Sequence, residues 1–167
     1  MSRLRRYNCE GYPYFTTCVT HRRYPILTDH FGIFRESMKF TRRIFVLDIV
    51  AWVVLPDHFH FIVSQKDATI SEIMRRLKTK FSGLYRSTHG LRSGPLWQKR
   101  FWDHVIRDDN DMNRHIDYIH YNPVRHGLVR QPADYAFSSF SKYVEQGLYA
   151  ADWGSIDTIQ MDGDFGE

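Results

Sequence analysis

The chain of 167 residues is 43% apolar and 25% charged, the make-up of a globular domain long enough to bury a full hydrophobic core. Its apolar stretches fall short of the ~20 residues of a membrane helix. The start Met1-Ser2-Arg3-Leu4-Arg5-Arg6 has no apolar run behind it, and Cys9 and Cys18 make no disulfide framework. These features argue against a membrane or secreted protein and make a reducing cytoplasm the expected compartment; residues 1–167 read as one domain, with 130–167 a C-terminal extension ending in an acidic tail.

Residues 12–20, rich in aromatic and β-branched side chains, read as the first strand. Thr28 or Asp29 can cap a helix running to about Arg42, with Phe31, Ile33, Phe34 and Met38 inward. Residues 44–55 form a long apolar strand. Pro56-Asp57 signals a turn, and 58–64 the next strand. Residues 71–86 are an amphipathic helix: Ile70, Ile73, Met74, Leu77, Phe81, Leu84 and Tyr85 follow 3–4 spacing, with Arg75, Lys78 and Arg86 mostly opposite. After a loop with Gly90, Gly94 and Pro95, residues 100–107 read as a short strand. Asp108 or Asp109 caps a helix through about Tyr121, which Pro123 ends; a short turn from Pro123 to His126 stops at Gly127. The order β-α-β-β-α-β plus a helix predicts an α+β, ferredoxin-like fold: an antiparallel sheet, two helices on one face, and an added C-terminal helix carrying Tyr118. Strand 58–64 is then central.

Charge is unevenly placed. Residues 73–102 hold eight Lys/Arg (Arg75, Arg76, Lys78, Lys80, Arg86, Arg92, Lys99, Arg100) and no Asp or Glu. Residues 150–167 hold Asp152, Asp157, Asp162, Asp164 and Glu167 and no Lys or Arg. Either run alone reads as a solvated face; together they suggest a polyanion partner. Trp97, Phe101 and Trp102 interleave with the cations, which suits single-stranded nucleic acid, where phosphates meet cations and bases stack on rings. Trp97 and Trp102 are equally readable as core.

His58 and His60 are one residue apart on a strand, so their side chains share a face with Cα atoms roughly 6.5 Å apart. Both rings can reach one metal ion, although a histidine pair on a sheet is more often hydrogen-bonded than metallated. Tyr118 and Asn122, four apart on the helix 109–121, share a face and can present a hydroxyl and an amide oxygen to the same ion. Read alone, Tyr118 is an amphipathic core tyrosine and Asn122 a helix-ending residue. Tyr121 is a rival nucleophile by type. His104, His115 and His120 lie nearby and are left unassigned.

Three blocks carry a resemblance: Trp52-Val53-Val54-Leu55-Pro56-Asp57-His58-Phe59-His60, Trp97-Gln98-Lys99-Arg100-Phe101-Trp102-Asp103-His104, and Asp117-Tyr118-Ile119-His120-Tyr121-Asn122-Pro123-Val124-Arg125-His126-Gly127-Leu128-Val129. In that order the chain resembles the single-tyrosine transposases of the HUH nuclease superfamily, and among them the REP-associated tyrosine transposases. The similarity runs from the first strand to Phe137-Ser138-Ser139-Phe140.

The resemblance implies a ferredoxin-like nuclease that cuts single-stranded DNA near hairpin-forming palindromic repeats in a bacterial cytoplasm, at the nucleoid while acting. It makes His58 and His60 the metal-binding pair, Tyr118 the nucleophile of a 5′-phosphotyrosine intermediate, and Asn122 a third ligand, where many relatives have the longer Gln. Mg²⁺ or Mn²⁺ suits phosphate chemistry better than Zn²⁺. Arg75, Lys78, Arg92, Lys99, Arg100 and Trp97 are expected to hold the hairpin, Arg3, Arg5 and Arg6 a single-stranded tag beside it, and the acidic tail to compete with DNA for the basic surface. A monomer is slightly favoured over a dimer with exchanged tyrosine helices. Two rivals stay open: a catalytically idle hairpin-binding protein, and a zinc hydrolase of small substrates, for which no HExxH-like motif is present.

Overall fold

The computed structural model describes residues 11–155 and 163–167. Its elements are β1 (Tyr14–Val19), α1 (Phe31–Ile44), β2 (Leu47–Val54), β3 (His58–Gln65), α2 (Ile70–His89), β4 (Trp102–Val105), α3 (Asp109–Arg125) and α4 (Phe140–Glu145), with 3-10 turns at His21–Arg23 and Pro132–Asp134. The strands pair antiparallel in the order β2-β3-β1-β4. This is the ferredoxin-like α+β arrangement with an added helix.

Alternation along β3 sorts its side chains into two layers. Phe59, Phe61 and Val63 join Tyr14, Phe34, Met74, Leu77 and Phe81 in the core beneath α1 and α2. Ile62 joins Phe15, Ala51, Val53, Tyr118 and Ile119 in the core beneath α3. His58 and His60 share the α3 face, both buried. In β2 the register slips between Ile49 and Ala51, leaving Val50 as an extra residue. That bulge exchanges the faces, so that Leu47 and Ile49 before it and Trp52 and Val54 after it all meet the α1–α2 layer.

Helix α2 opens on a capping box, Thr69 and Glu72 each receiving the other's backbone N–H, and closes on Gly90 at φ 64°. Helix α1 starts after His30 with no side-chain cap, so neither Thr28 nor Asp29 fills that role. Asp108 does cap α3, accepting from Asp111 N. The expected stop at Pro123 is not observed: α3 continues through it to Arg125. Pro123 lies in the last turn, where its missing N–H costs one bond and its ring is buried.

The outer side of β2 is covered from residue 135 onward. Val54 N donates to Phe137 O at 2.8 Å and Ser139 N to Trp52 O at 2.9 Å. The Tyr135 and Tyr143 hydroxyls donate to the carbonyls of Val54 and Val50 at 2.7 and 2.9 Å. Among the described residues no helix is long and apolar enough to cross a membrane.

Candidate active site

β3 and α3 together build a small polar chamber inside the second core. His60 lies opposite Thr17 of β1, and His58 opposite Val19. Tyr118 comes down from α3 with its ring centroid 5.3 Å from that of His60, fully buried. Asn122, one turn further on, is also fully buried. The four residues expected to form a site therefore do converge, although the side-chain chemistry differs in detail from the expectation.

Hydrogen bonds fix the histidine tautomers. Asp57 Oδ1 lies 2.6 Å from His58 Nδ1, so that nitrogen carries a proton, while Nε2 has no hydrogen-bond partner. Thr17 donates its only hydroxyl proton to the Phe165 carbonyl at 2.6 Å. It can therefore only accept from His60 Nδ1, 2.8 Å away, which leaves Nε2 unprotonated. Both imidazoles thus point Nε2 into the chamber with Nδ1 held by a second partner, as metal-binding histidines do.

The chamber is filled by residues 163–167. Glu167, its side chain 15% exposed, sets Oε1 at 3.0 Å from His60 Nε2 and 3.5 Å from His58 Nε2. Oε2 lies 3.2 Å from His126 Nε2 and 3.4 Å from Arg125 Nη1. Asn122 Nδ2 donates to Glu167 Oε1 at 2.6 Å and lies 3.4 Å from His60 Nε2, while its Oδ1 has no partner. The amide nitrogen, not the oxygen expected as a ligand, faces the histidines. Phe165 stacks on Tyr118, with centroids 3.7 Å apart and planes 9° from parallel.

Electrostatics follow from this packing. Burial lowers the pKa of His60 to about 4, against the pull of Glu167. Burial acts the same way on His58 but is outweighed by Asp57 and Glu167, which raise its pKa. Burial opposes the charge of Glu167, yet His126, His58 and His60 hold it far below the usual carboxylate range. Burial, followed by Glu167, pushes the Tyr118 hydroxyl far above its ordinary value; Arg125, whose Nη1 donates to that hydroxyl at 3.0 Å, works against them.

Other expected residues fall elsewhere. Trp97, expected as a base-stacking ring, is a core residue: 8% exposed, it packs edge-on to Phe59 and Phe81. Its place is fixed by bridging to Thr20 at the end of β1. Arg75 is exposed on α2, on the opposite side of the sheet from the histidines. Lys78 Nζ donates to Gln98 O at 2.9 Å. Arg92, Lys99 and Arg100 are exposed in the following loop, and Gln98 N donates to Val19 O, opposite His58. That contact brings Lys99 and Arg100 to the histidine end of the sheet. Arg3, Arg5 and Arg6 lie outside the described residues, as do Asp157 and Asp162. Glu167 of the acidic tail sits on the histidines rather than on the basic face of α2.

Tyr121 turns away, its ring near Trp153. His104 and His115 flank Asp111, at 2.8 and 3.1 Å from its two oxygens. Their rings stack 4.7 Å apart and 16° from parallel, His115 Nδ1 also lies 2.8 Å from Asp111 O, and the group clamps β4 to α3. Sequence reasoning missed Thr17, Asp57, Arg125, His126, Phe165 and Glu167. Only Asp57, beside His58, carried a local signal.

The family of transposases described as IS200-like matches residues 9–122. The chain is 39% identical over 156 residues to the REP-associated tyrosine transposase of Escherichia coli K12, covering 92% of this chain and 91% of that one. A relative from Haemophilus influenzae is 36% identical over 175 residues, covering 98% and 99%. A solved structure described as a REP-associated tyrosine transposase bound to a REP hairpin superposes with a TM-score of 0.87 at 38% identity, covering 100% of this chain and 98% of that one.

Proposed function

The chain belongs to the IS200-like transposase family, among its REP-associated tyrosine transposases, and from that premise we propose that it nicks and rejoins single-stranded DNA beside hairpin-forming palindromic repeats through Tyr118. The observation that carries this reading is the placement of Tyr118 and Asn122 over His58 and His60, with the Tyr118 and His60 rings 5.3 Å apart.

Tyr118 is the nucleophile. Its phenolic oxygen gives up its proton and attacks the scissile phosphorus; the bond to the 3′ oxygen breaks and leaves a free 3′-hydroxyl. The 5′ side stays joined to Tyr118, so a later attack by a 3′-hydroxyl restores the phosphodiester without ATP. Arg125, 3.0 Å from the hydroxyl, favours the phenolate by its charge. The residues also fit a divalent ion: two imidazole Nε2 atoms converge in a buried chamber, one of them without a hydrogen-bond partner. His58 and His60 are the donors, and Asn122 adds its oxygen if its amide turns over. Mg²⁺ or Mn²⁺ held there supplies positive charge that polarises the phosphate.

Exposed Lys99 and Arg100 hold the DNA backbone at the histidine end of the sheet, and Arg92 of the same loop extends that path, while Arg75 offers a contact to the hairpin from the opposite side of the sheet. A monomer suffices for this chemistry, because Tyr118 lies against His60 of its own chain. One observation favours a binding-only protein instead, namely that residues 163–167 fill the chamber.

A single-stranded repeat oligonucleotide with flanking sequence, incubated with Mn²⁺, separates the two. The expected result is a denaturation-resistant protein–DNA adduct, absent from Tyr118→Phe. An adduct formed by that variant moves the nucleophile to another residue. Hairpin binding by the wild type with no adduct leaves the binding-only reading.

A further inference from the structure

Residues 163–167 can be understood as a plug that keeps an ion out or as part of what holds it in. The hydrogen bonds distinguish the two. Glu167 Oε1 faces His60 Nε2 at 3.0 Å and His58 Nε2 at 3.5 Å. Each ring has its Nδ1 engaged by another partner, Asp57 for His58 and Thr17 for His60, so both turn Nε2 toward Glu167. Three atoms able to ligate a cation therefore face one another. The donor atoms of His58, His60 and Glu167 all lie within 4.8 Å of one another. The shorter spacing is that of neighbouring ligands around an octahedral ion with bonds near ~2.1 Å. Asn122 Nδ2 donates to Glu167 Oε1 at 2.6 Å, and its contact with His60 is long, at 3.4 Å. A cation among these three atoms would satisfy all of them.

The same segment prepares the pair. The Phe165 carbonyl takes the Thr17 proton, and this forces His60 to keep its own proton on Nδ1 and to present Nε2 inward. The residue that stacks on Tyr118 thus also sets the tautomer of a metal-binding histidine.

We propose that Glu167 is a ligand of the divalent ion in the resting protein, so that the ion fastens residues 163–167 into the site instead of displacing them. This deepens the reading given under Proposed function and rests on it. Entry of DNA would then require Glu167 to give up its place to a phosphate oxygen and Phe165 to leave the Tyr118 ring, while His58 and His60 would continue to hold the ion.

The test is Mn²⁺ binding to the full chain, measured by calorimetry and by loss of the free-ion electron paramagnetic resonance signal, with amide hydrogen exchange of residues 163–167 followed over the same titration. Glu167→Gln, which keeps the shape and removes the charge, is expected to weaken Mn²⁺ binding by about tenfold or more. In the wild type, Mn²⁺ is expected to slow exchange in the segment. Glu167→Gln binding at or above wild-type strength overturns the proposal, as does exchange that speeds up on adding Mn²⁺; either result makes the segment a competitor of the ion. His60→Gln distinguishes the two levels. If it weakens binding while Glu167→Gln does not, only the role of Glu167 fails. If it binds Mn²⁺ as the wild type does, the histidine pair is not the metal site, and the metal assignment above fails with the proposal.

Discussion

Gly166→Ala opens the chamber without altering any side chain in it. Gly166 sits at φ 74°, and a Cβ there would overlap Cβ and Cγ of Trp102. Trp102 has little room to yield: it makes an edge contact with Phe15 and stacks on His104. The left-handed backbone alone costs an alanine ~1–2 kcal/mol, and the overlap adds to it. Docking of the segment is a small difference between opposing quantities. Burying the Phe165 ring contributes roughly 2–3 kcal/mol, and the contacts of Glu167 add more. Ordering the backbone of each residue costs ~1–2 kcal/mol. A penalty of ~2 kcal/mol therefore shifts the docked-to-free ratio by roughly thirtyfold. The assays are amide exchange of residues 163–167 and the initial rate of oligonucleotide cleavage at saturating Mn²⁺. Both should rise, while the thermal midpoint of the domain moves by no more than a few degrees. Unchanged exchange, or slower cleavage with faster exchange, refutes the reasoning.

Thr17→Val removes the hydroxyl that fixes the His60 tautomer; Mn²⁺ affinity should fall by about tenfold, read by the same calorimetry, with the fold intact by circular dichroism. Lys99→Ala with Arg100→Ala should weaken hairpin binding and flatten the slope of log affinity against log salt by about one to two, measured by fluorescence anisotropy at several salt concentrations. His120 is fully buried, and burial lowers its pKa to about 3, whereas the unfolded chain protonates this group near 6.5. The unfolded state thus takes up a proton that the native state refuses. The stabilisation is complete above pH 6.5 and is lost as pH falls toward 3, at up to ~1.4 kcal/mol per pH unit. Urea titrations at pH 6.5 and 4.5 should show the loss, and His120→Gln should show less of it; equal losses in both would exclude His120 as the source.

Much of the scaffold was legible because it follows local periodicities. Alternation in 58–64 put both histidines on one face, and 3–4 spacing put Tyr118 and Asn122 on another, so the two faces could be expected to meet. Pro123 misled because a proline signals its missing N–H but not its position in the last turn, where the loss is small. Trp97 misled because an aromatic among cations looks the same in sequence whether it faces solvent or core; its bridge to Thr20 decides the matter. The bulge at Val50 had no mark in a strand that is apolar throughout except for Asp48. Glu167 was out of reach for a different reason: it meets His60 across 107 positions, from a stretch of Asp, Gly and Phe with no periodicity to read. Such a contact depends on tertiary geometry alone.

An eight-residue strand at the rim of a sheet invites other chains to pair with it, and β2 escapes this because Phe137 and Ser139 occupy its backbone groups and the Tyr135 and Tyr143 hydroxyls take two more of its carbonyls. That strip is pinned in turn by the rings of Phe140, Tyr149 and Trp153, which lie against one another. Where a shortened chain is cut will therefore decide whether it stays in solution. Ending it beyond Trp153 clears the chamber and keeps the rim sealed. Ending it before Tyr135 leaves a long sticky margin, and precipitation of such a fragment would say nothing about the histidines or the tyrosine.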